Sequence, residues 1–202
     1  MKQTSVSLRA ANPDLDDGRL YARYLDRAAE GFFRFWLGRN AADIIAAAFI
    51  QPDHDLSYQN VTFAEYEEVI IGMVSGYTAE QHHRPSGQPL KRAAGNSLRM
   101  RVLSKIFRPL FRVIETVPDG DFYIQAVAVD KAHGGTGIGS ALMDLIEERA
   151  IAEGSIRIVL DVSGKNRGAL RLYERRGMIV ESRWPRRVAI PGLTIFRMTK
   201  AL

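Results

Sequence analysis

Apolar positions along the chain switch between a period of two and a period of three to four residues, and the switches mark the elements. Alternation from Ser5 to Arg9 predicts a short first strand. Asn12-Pro13-Asp14 supplies helix-start residues, and Leu20, Tyr24, Leu25, Ala28 and Phe32 come after it at helical spacing. Asn40 to Ile50 predicts a second helix, stopped by Gln51-Pro52. Val61 to Ala64 and Val69 to Thr78 read as two strands of a meander, with polar turn material between and after them. Further on, Val102, Leu103, Ile106, Phe107, Leu110, Phe111 and Ile114 form a helical stripe that Pro109 kinks or divides. Phe122, Ile124, Val127 and Val129 predict a buried strand, and Ile138, Leu142, Leu145 and Ile146 an amphipathic helix. Ile156 to Asp161 is another apolar strand, and Met178 to Trp184 and Leu193 to Thr199 read as closing strands joined through Pro185 to Gly192. Strands that alternate with helices in this way place the chain in the α/β class.

Between the buried strand and its helix lies Gly134-Gly135-Thr136-Gly137-Ile138-Gly139. Glycines let backbone approach a ligand closely, and the first turn of the next helix leaves amide groups unpaired at the positive end of its dipole. An anion is well held there. An ATP-binding P-loop requires Lys directly after the last glycine, where Ser140 stands. A dinucleotide fingerprint is matched by Gly135 and Gly137, with Asp161 near the ribose-binding position, but it begins directly at a strand end, whereas Asp130-Lys131-Ala132-His133 intervene here.

The 202 residues suffice for one domain, taken as 1–202, with a core that requires no staple. The absence of Cys excludes disulfides, a thiolate nucleophile and a Cys-based zinc site. The start, MKQTSVSL, lacks an apolar signal core, and the apolar run Ile44 to Ile50 is too short to cross a bilayer, so a cytoplasmic protein is expected. The net charge of +5 is local in origin. Arg84, Lys91, Arg92, Arg99, Arg101, Lys105, Arg108 and Arg112 stand together with no Asp or Glu among them, and the last four lie opposite the apolar stripe of their helix. This basic segment, about 80–118, reads first as a lid on an acceptor site, next as a helix resting on an anionic membrane or a partner, and last as a nucleic-acid contact. The adjacent His82 and His83 have no spaced partners for a metal and read as loop residues, while His133 flanks the glycine loop.

The glycine loop and the segment after it resemble the GNAT acetyltransferases, whose pattern is Arg/Gln-x-x-Gly-x-Gly/Ala opening a helix after a strand. Gly137 and Gly139 match the two small positions, and Gly134 stands where Arg or Gln is expected. Downstream, NRGALRLYERRGM carries Asn166, Ala169, Leu172, Tyr173, Glu174 and Gly177 in register with the family's second stretch. The resemblance runs from Phe122 to Met178 and implies a GNAT-like fold, a mixed central sheet flanked by helices, here with a basic helical insertion between the third and fourth strands.

It also implies transfer of an acetyl group from acetyl-CoA to an amine by direct attack in a ternary complex. The pyrophosphate would sit on amides from Gly134 through Gly135, Thr136, Gly137, Ile138 and Gly139 to Ser140. Pantetheine would pair with the backbone of Val127 and Val129 where two parallel strands splay, with a Val127 amide polarising the thioester carbonyl. Tyr173 matches the proton donor to the leaving thiolate, and Asn166 a position that contacts pantetheine or supports its helix. For the base, Glu115, Asp121, Tyr123 and a water chain stand as alternatives. The expected partners are a small-molecule or peptide amine and, through the final strands, a second copy of the chain. Two readings compete: a non-catalytic acyl-CoA-binding or regulatory module on the same fold, and a nicotinamide-dinucleotide enzyme. Leu170, Leu172 and Tyr173 also fit a plain core face.

Overall fold

The computed structural model describes residues 6–83, 87–95, 97–108, 116–185 and 194–202. Strands β1 (Ser7–Ala10), β2 (Val61–Tyr66), β3 (Val69–Thr78), β4 (Asp121–Val129), β5 (Arg157–Ser163), β6 (Ile179–Trp184) and β7 (Ile195–Ala201) form one seven-stranded sheet in the order β1-β2-β3-β4-β5-β7-β6. Among the described residues only the pair β4/β5 is parallel. Helices α1 (Leu15–Ala28), α2 (Phe32–Leu37) and α3 (Ala41–Phe49) precede β2, and α4 (Ala79–His83), α5 (Gly87–Ala94) and α6 (Leu98–Ile106) lie between β3 and β4. Helix α7 (Ile138–Ala152) connects β4 to β5, and α8 (Arg167–Arg175) connects β5 to β6. This is the expected mixed sheet flanked by helices, with a helical insertion between the third and fourth strands.

The sheet is covered on both faces. One core joins Tyr21, Leu25, Ile45 and Phe49 of α1 and α3 to Phe63, Met73, Ala126 and Ala128 of the sheet, with Leu90 and Met100 from the insertion. The other joins Leu142, Met143 and Ile146 of α7 and Leu170 and Tyr173 of α8 to Phe122, Ile124, Ile158, Leu160 and Met198.

Several boundaries depart from the sequence reading for local reasons. The first helix stops at Ala28 instead of reaching Phe32, because Glu30 and Gly31 take φ of 53° and 86°, a left-handed pair that no α-helix continues through. The stretch after β3, read as turn material, holds α4 and α5, whose packing against the rest of the fold overrides their polarity. In α6 the apolar stripe divides. Met100 is buried and Phe107 stacks edge-on with Phe32 and Phe35, whereas Val102 and Ile106 are 46% and 62% exposed. Leu110, Phe111, Ile114 and Glu115 lie outside the described residues.

Alternation of faces breaks once inside β4. Phe122 and Ile124 face α7, and so do Val127 and Val129, an odd interval that requires one extra residue. The register shows it: Ser75 opposes Ala126 while the next residue, Gly76, opposes Ile124, so Gln125 is a β-bulge. Gly76 is required opposite it, since a Cβ there would come within 2.5 Å of the Phe122 ring and 2.9 Å of the Tyr123 carbonyl oxygen.

At the sheet edge, Arg9 grips the buried Asp17 carboxylate with two hydrogen bonds of 2.7 Å, and the Asn12 amide donates a third of 2.7 Å. Burial alone raises the Asp17 pKa, but these donors outweigh it and hold the carboxyl below its usual 3.8. A depressed carboxylate stabilises the fold above its unfolded pKa, and that stability is lost as pH falls through the folded value. Asp17→Asn is expected to cost about 2 kcal/mol in urea denaturation at neutral pH. The difference from wild type should narrow once pH drops below the ordinary carboxylate range.

Candidate functional site

The bulge at Gln125 is where the two parallel strands part. Pairing of β4 with β5 runs from Asp121–Arg157 to Ile124–Leu160 and stops there. Beyond that point β4 stays bonded to β3 as far as Val129, and β5 stays bonded to β7 as far as Ser163. The facing edges, Gln125–Val129 and Asp161–Ser163, are left unpaired with each other and open a wedge toward the C-terminal ends of both strands. A bulge increases local twist, which carries β4 away from its neighbour. Val127 and Val129 line the opening on the α7 side, half-buried.

The bulge is pinned from α1. Tyr21, fully buried, donates its hydroxyl to Gln125 Oε1 at 2.6 Å, and Ser75 Oγ donates to the same oxygen at 3.2 Å. Neither Gln125 nor Tyr21 was marked out by residue type. The signal available was the interval from Ile124 to Val127, which breaks the period of two.

Past Val129 the chain makes a short 3-10 turn, Lys131–His133, and then the glycine loop. Gly135 and Gly137 take φ of 78° and 91°, and Gly137 is the N-cap of α7 without any side-chain cap. Gly134 N donates to Lys131 O and Ser140 N to Gly137 O, so the two ends of the loop are bonded internally. The amides from Gly135 through Thr136, Gly137 and Ile138 to Gly139 have no partner among the described residues. A Cβ at Gly135 or Gly137 would meet nothing within 4 Å, so these positions stand open. Thr136 Oγ1 donates to His133 O and braces the loop. Uncapped amides in left-handed turns at a helix start form a nest for an anion, and no cationic side chain is required.

Asn166 caps α8, its Oδ1 accepting from Ala169 N at 3.1 Å. That bond starts the helix that carries Tyr173. Tyr173 is buried among Leu170, Leu142 and Met178, and burial pushes its phenol up to about 12. It lies close enough to Tyr123 that its ionisation would raise the Tyr123 pKa. Helix α8 is fastened to α7 by Arg176, which donates to Glu147 at 2.8 Å and Asp144 at 2.6 Å, and Lys200 of β7 reaches Glu147 at 2.6 Å.

Of the groups considered as bases, Asp121 and Tyr123 are occupied, and Glu115 lies outside the described residues. Asp121 is buried and held by Arg157 through bonds of 3.0 and 2.7 Å. Tyr123 donates to Asp161 at 3.2 Å, and burial together with the Asp161 charge drives its pKa well above 10. Asp161 itself is clasped by Arg197 at 3.1 and 2.7 Å, which removes it from the ribose-binding role of the dinucleotide reading.

Among curated proteins none matches the chain significantly. Solved structures with the same fold include one described as an acetyltransferase, 24% identical with a TM-score of 0.68 over 96% of this chain and 98% of that one. An N-acetyltransferase from Staphylococcus aureus Mu50 is 17% identical with a TM-score of 0.65, covering 96% of this chain and all of its own (100%). The yncA protein of Salmonella typhimurium, solved with its cofactor acetyl-CoA, is 17% identical with a TM-score of 0.59 over 98% and 95% of the two chains. The family model described as "Acetyltransferase (GNAT) family" matches residues 23–178, which contain the splay, the amide-lined loop and Tyr173, and the chain therefore belongs to that family.

Proposed function

We propose that this protein transfers an acetyl group from acetyl-CoA to an amine by direct attack in a ternary complex. The observation that carries the reading is the wedge opened at Gln125 on the strand that leads into the amides of Gly135–Gly139, which have no partner among the described residues. Two demands of one ligand are met in sequence: an anion nest, and a strand edge with free hydrogen-bonding capacity. Bound there, acetyl-CoA would supply an activated thioester and a thiolate leaving group.

The chain's own residues then have distinct tasks. The amides of Gly135 to Gly139 hold the pyrophosphate, and the position of Gly134, without the Arg or Gln side chain common at that place, leaves this task to the backbone. The β4 edge at Val127 and Val129 orients the pantetheine arm, and the Val127 amide donates to the thioester carbonyl oxygen as negative charge develops on it. Tyr173, kept protonated by its burial, donates to the departing sulfur, whose thiol has a pKa of about 8.5. Asn166 acts through the helix cap that positions Tyr173.

Two measurements test this. Gly137 and Gly154 both have left-handed φ, 91° and 75°, with no atom near their missing Cβ, and they bracket the two ends of α7. Alanine at either should cost about 1 kcal/mol of stability through backbone strain. Only Gly137→Ala should weaken acetyl-CoA binding in calorimetry, by tenfold or more, and equal affinities for the two variants would contradict the nest. Tyr173→Phe should lower kcat about 10²-fold while acetyl-CoA affinity stays within twofold. Acetyl-CoA binding by the wild-type chain without thiol release across an amine panel would favour the non-catalytic binding module instead.

A further inference from the structure

Helix α6 turns outward two rows of side chains that the acetyl-transfer scheme does not use. Its inner side is fixed on α2. Met100 is buried, Phe107 meets the rings of Phe32 and Phe35 edge-on, and Trp36 Nε1 donates to Ser104 Oγ at 3.1 Å. Arg99 donates from Nε and Nη2 to Phe35 O at 2.9 and 2.6 Å, so the outer side has a set orientation. One outer row is Leu98, Val102 and Ile106, four residues apart and 71%, 46% and 62% exposed. Phe35 of α2, 47% exposed, extends that row, since it lines one groove with Leu98, Val102 and Leu103. The second row is Arg101, Lys105 and Arg108, all exposed. Arg101 and Lys105 each stand three residues after a member of the first row, about 60° around the helix, so the two rows lie side by side.

An exposed aliphatic side chain is ordinary by itself, whereas several on successive turns beside an exposed aromatic ring mark a contact surface. The surrounding charge tells which kind. Residues 87–108 contain Lys91, Arg92, Arg99, Arg101, Lys105 and Arg108 and no Asp or Glu. Elsewhere the fold sets arginines against carboxylates, as with Arg9 and Asp17, Arg157 and Asp121, and Arg197 and Asp161. Arg101, Lys105 and Arg108 have no such partner among the described residues. The face is therefore complementary to a surface that is anionic and also accepts apolar side chains. A nucleic acid offers the charge but nothing for the Leu98, Val102 and Ile106 row to enter. A lid over an acceptor cleft would turn that row inward. Recognition of a folded protein uses a pattern of both signs, and this face carries one sign beside a plain aliphatic row.

We propose that the outer face of α6, together with Phe35 of α2, docks on an anionic lipid membrane. The helix lies in the plane of the headgroups. Leu98, Val102, Ile106 and Phe35 enter as far as the acyl boundary, while Arg101, Lys105 and Arg108 stay among the lipid phosphates. Attachment is peripheral, since among the described residues no helix is long and apolar enough to cross a membrane. Apolar insertion and charge attraction act together, and on so short a helix neither holds the protein alone. Because α2 and α6 are fastened to each other before any membrane is met, docking demands no folding of the helix. The face uses none of the Gly135–Gly139 amides, the β4 edge or Tyr173, so docking does not depend on acetyl transfer.

The test is co-sedimentation of the full chain with vesicles of phosphatidylcholine alone or mixed with phosphatidylglycerol. At low salt the mixed vesicles should retain the protein about tenfold better than the neutral ones, and high salt should weaken that retention. Leu98→Gln with Ile106→Gln, and separately Arg101→Gln with Lys105→Gln, should each lower partitioning about tenfold. All four side chains are exposed, so thermal unfolding of both variants should match wild type. Arg171→Gln with Arg175→Gln removes the same charge from exposed positions on α8 and should leave partitioning within about twofold. No retention on mixed vesicles at low salt, or equal retention on both kinds, overturns the proposal. An equal loss in the α8 pair reduces the effect to net charge and overturns it too, as does full retention by the Leu98→Gln, Ile106→Gln pair. Capture by immobilised polyglutamate without retention on vesicles, weakened by that same pair, assigns the face to an acidic polypeptide and overturns the lipid.

Discussion

One extra residue in β4 organises this protein. Gln125 cannot be accommodated in the ladder with β3, and the strand answers by bulging at the point where its bonds to β5 end. A regular strand would continue the parallel pairing to Val127, opposite Ser163 at the end of β5, and close the sheet. With the bulge, the backbone of Gln125–Val129 keeps one bonded edge and presents the other to a cleft. An exposed strand edge in mid-sheet is costly unless something covers it, and here the uncovered length coincides with the chemistry assigned to the fold. The surroundings hold the distortion in place: Gly76 makes room for the Phe122 ring, and Tyr21 reaches across from α1 to occupy the bulged side chain.

The two faces of the sheet contribute differently to the chemistry. The α7 side supplies apolar enclosure and backbone donors, with Tyr173 kept neutral by its surroundings. The α1 side supplies side-chain polarity, arranged as rings and carboxylates that satisfy one another. Low-dielectric burial strengthens the bonds made there, among them those of Tyr21 and Ser75 to Gln125 and of Arg197 to Asp161.

Much of this was readable along the chain because it is local. The strand, loop and helix from Phe122 to Ala150 come from periodicity and glycine placement, and the donors of Gly135–Gly139 from the way any helix begins. The cap at Asn166 is likewise a short-range bond. What escaped was set by contacts distant in sequence. Glu30 and Gly31 break α1 because α2 must turn to meet α6, α4 and α5 gain their helicity from packing, and Gln125 is an ordinary polar residue until Tyr21 meets it 104 positions away. Asp121 and Asp161 invite a catalytic reading by type, and only the positions of Arg157 and Arg197 show that both are spent on structure. The odd interval between Ile124 and Val127 was the one trace of the bulge visible beforehand.

The Arg176 clasp bears on how the phenol is aimed. By tying the end of α8 to Glu147 and Asp144 in the middle of α7, and with Lys200 bringing β7 to the same Glu147, it joins the helix bearing the phenol to the helix whose start forms the anion nest. The phenol is thus surveyed from the nest and not from the connections at either end of its own helix. Under the proposed transfer, a donor built this way would arrive in register with whatever the helix start holds, and alignment of the departing sulfur would be a property of one rigid frame.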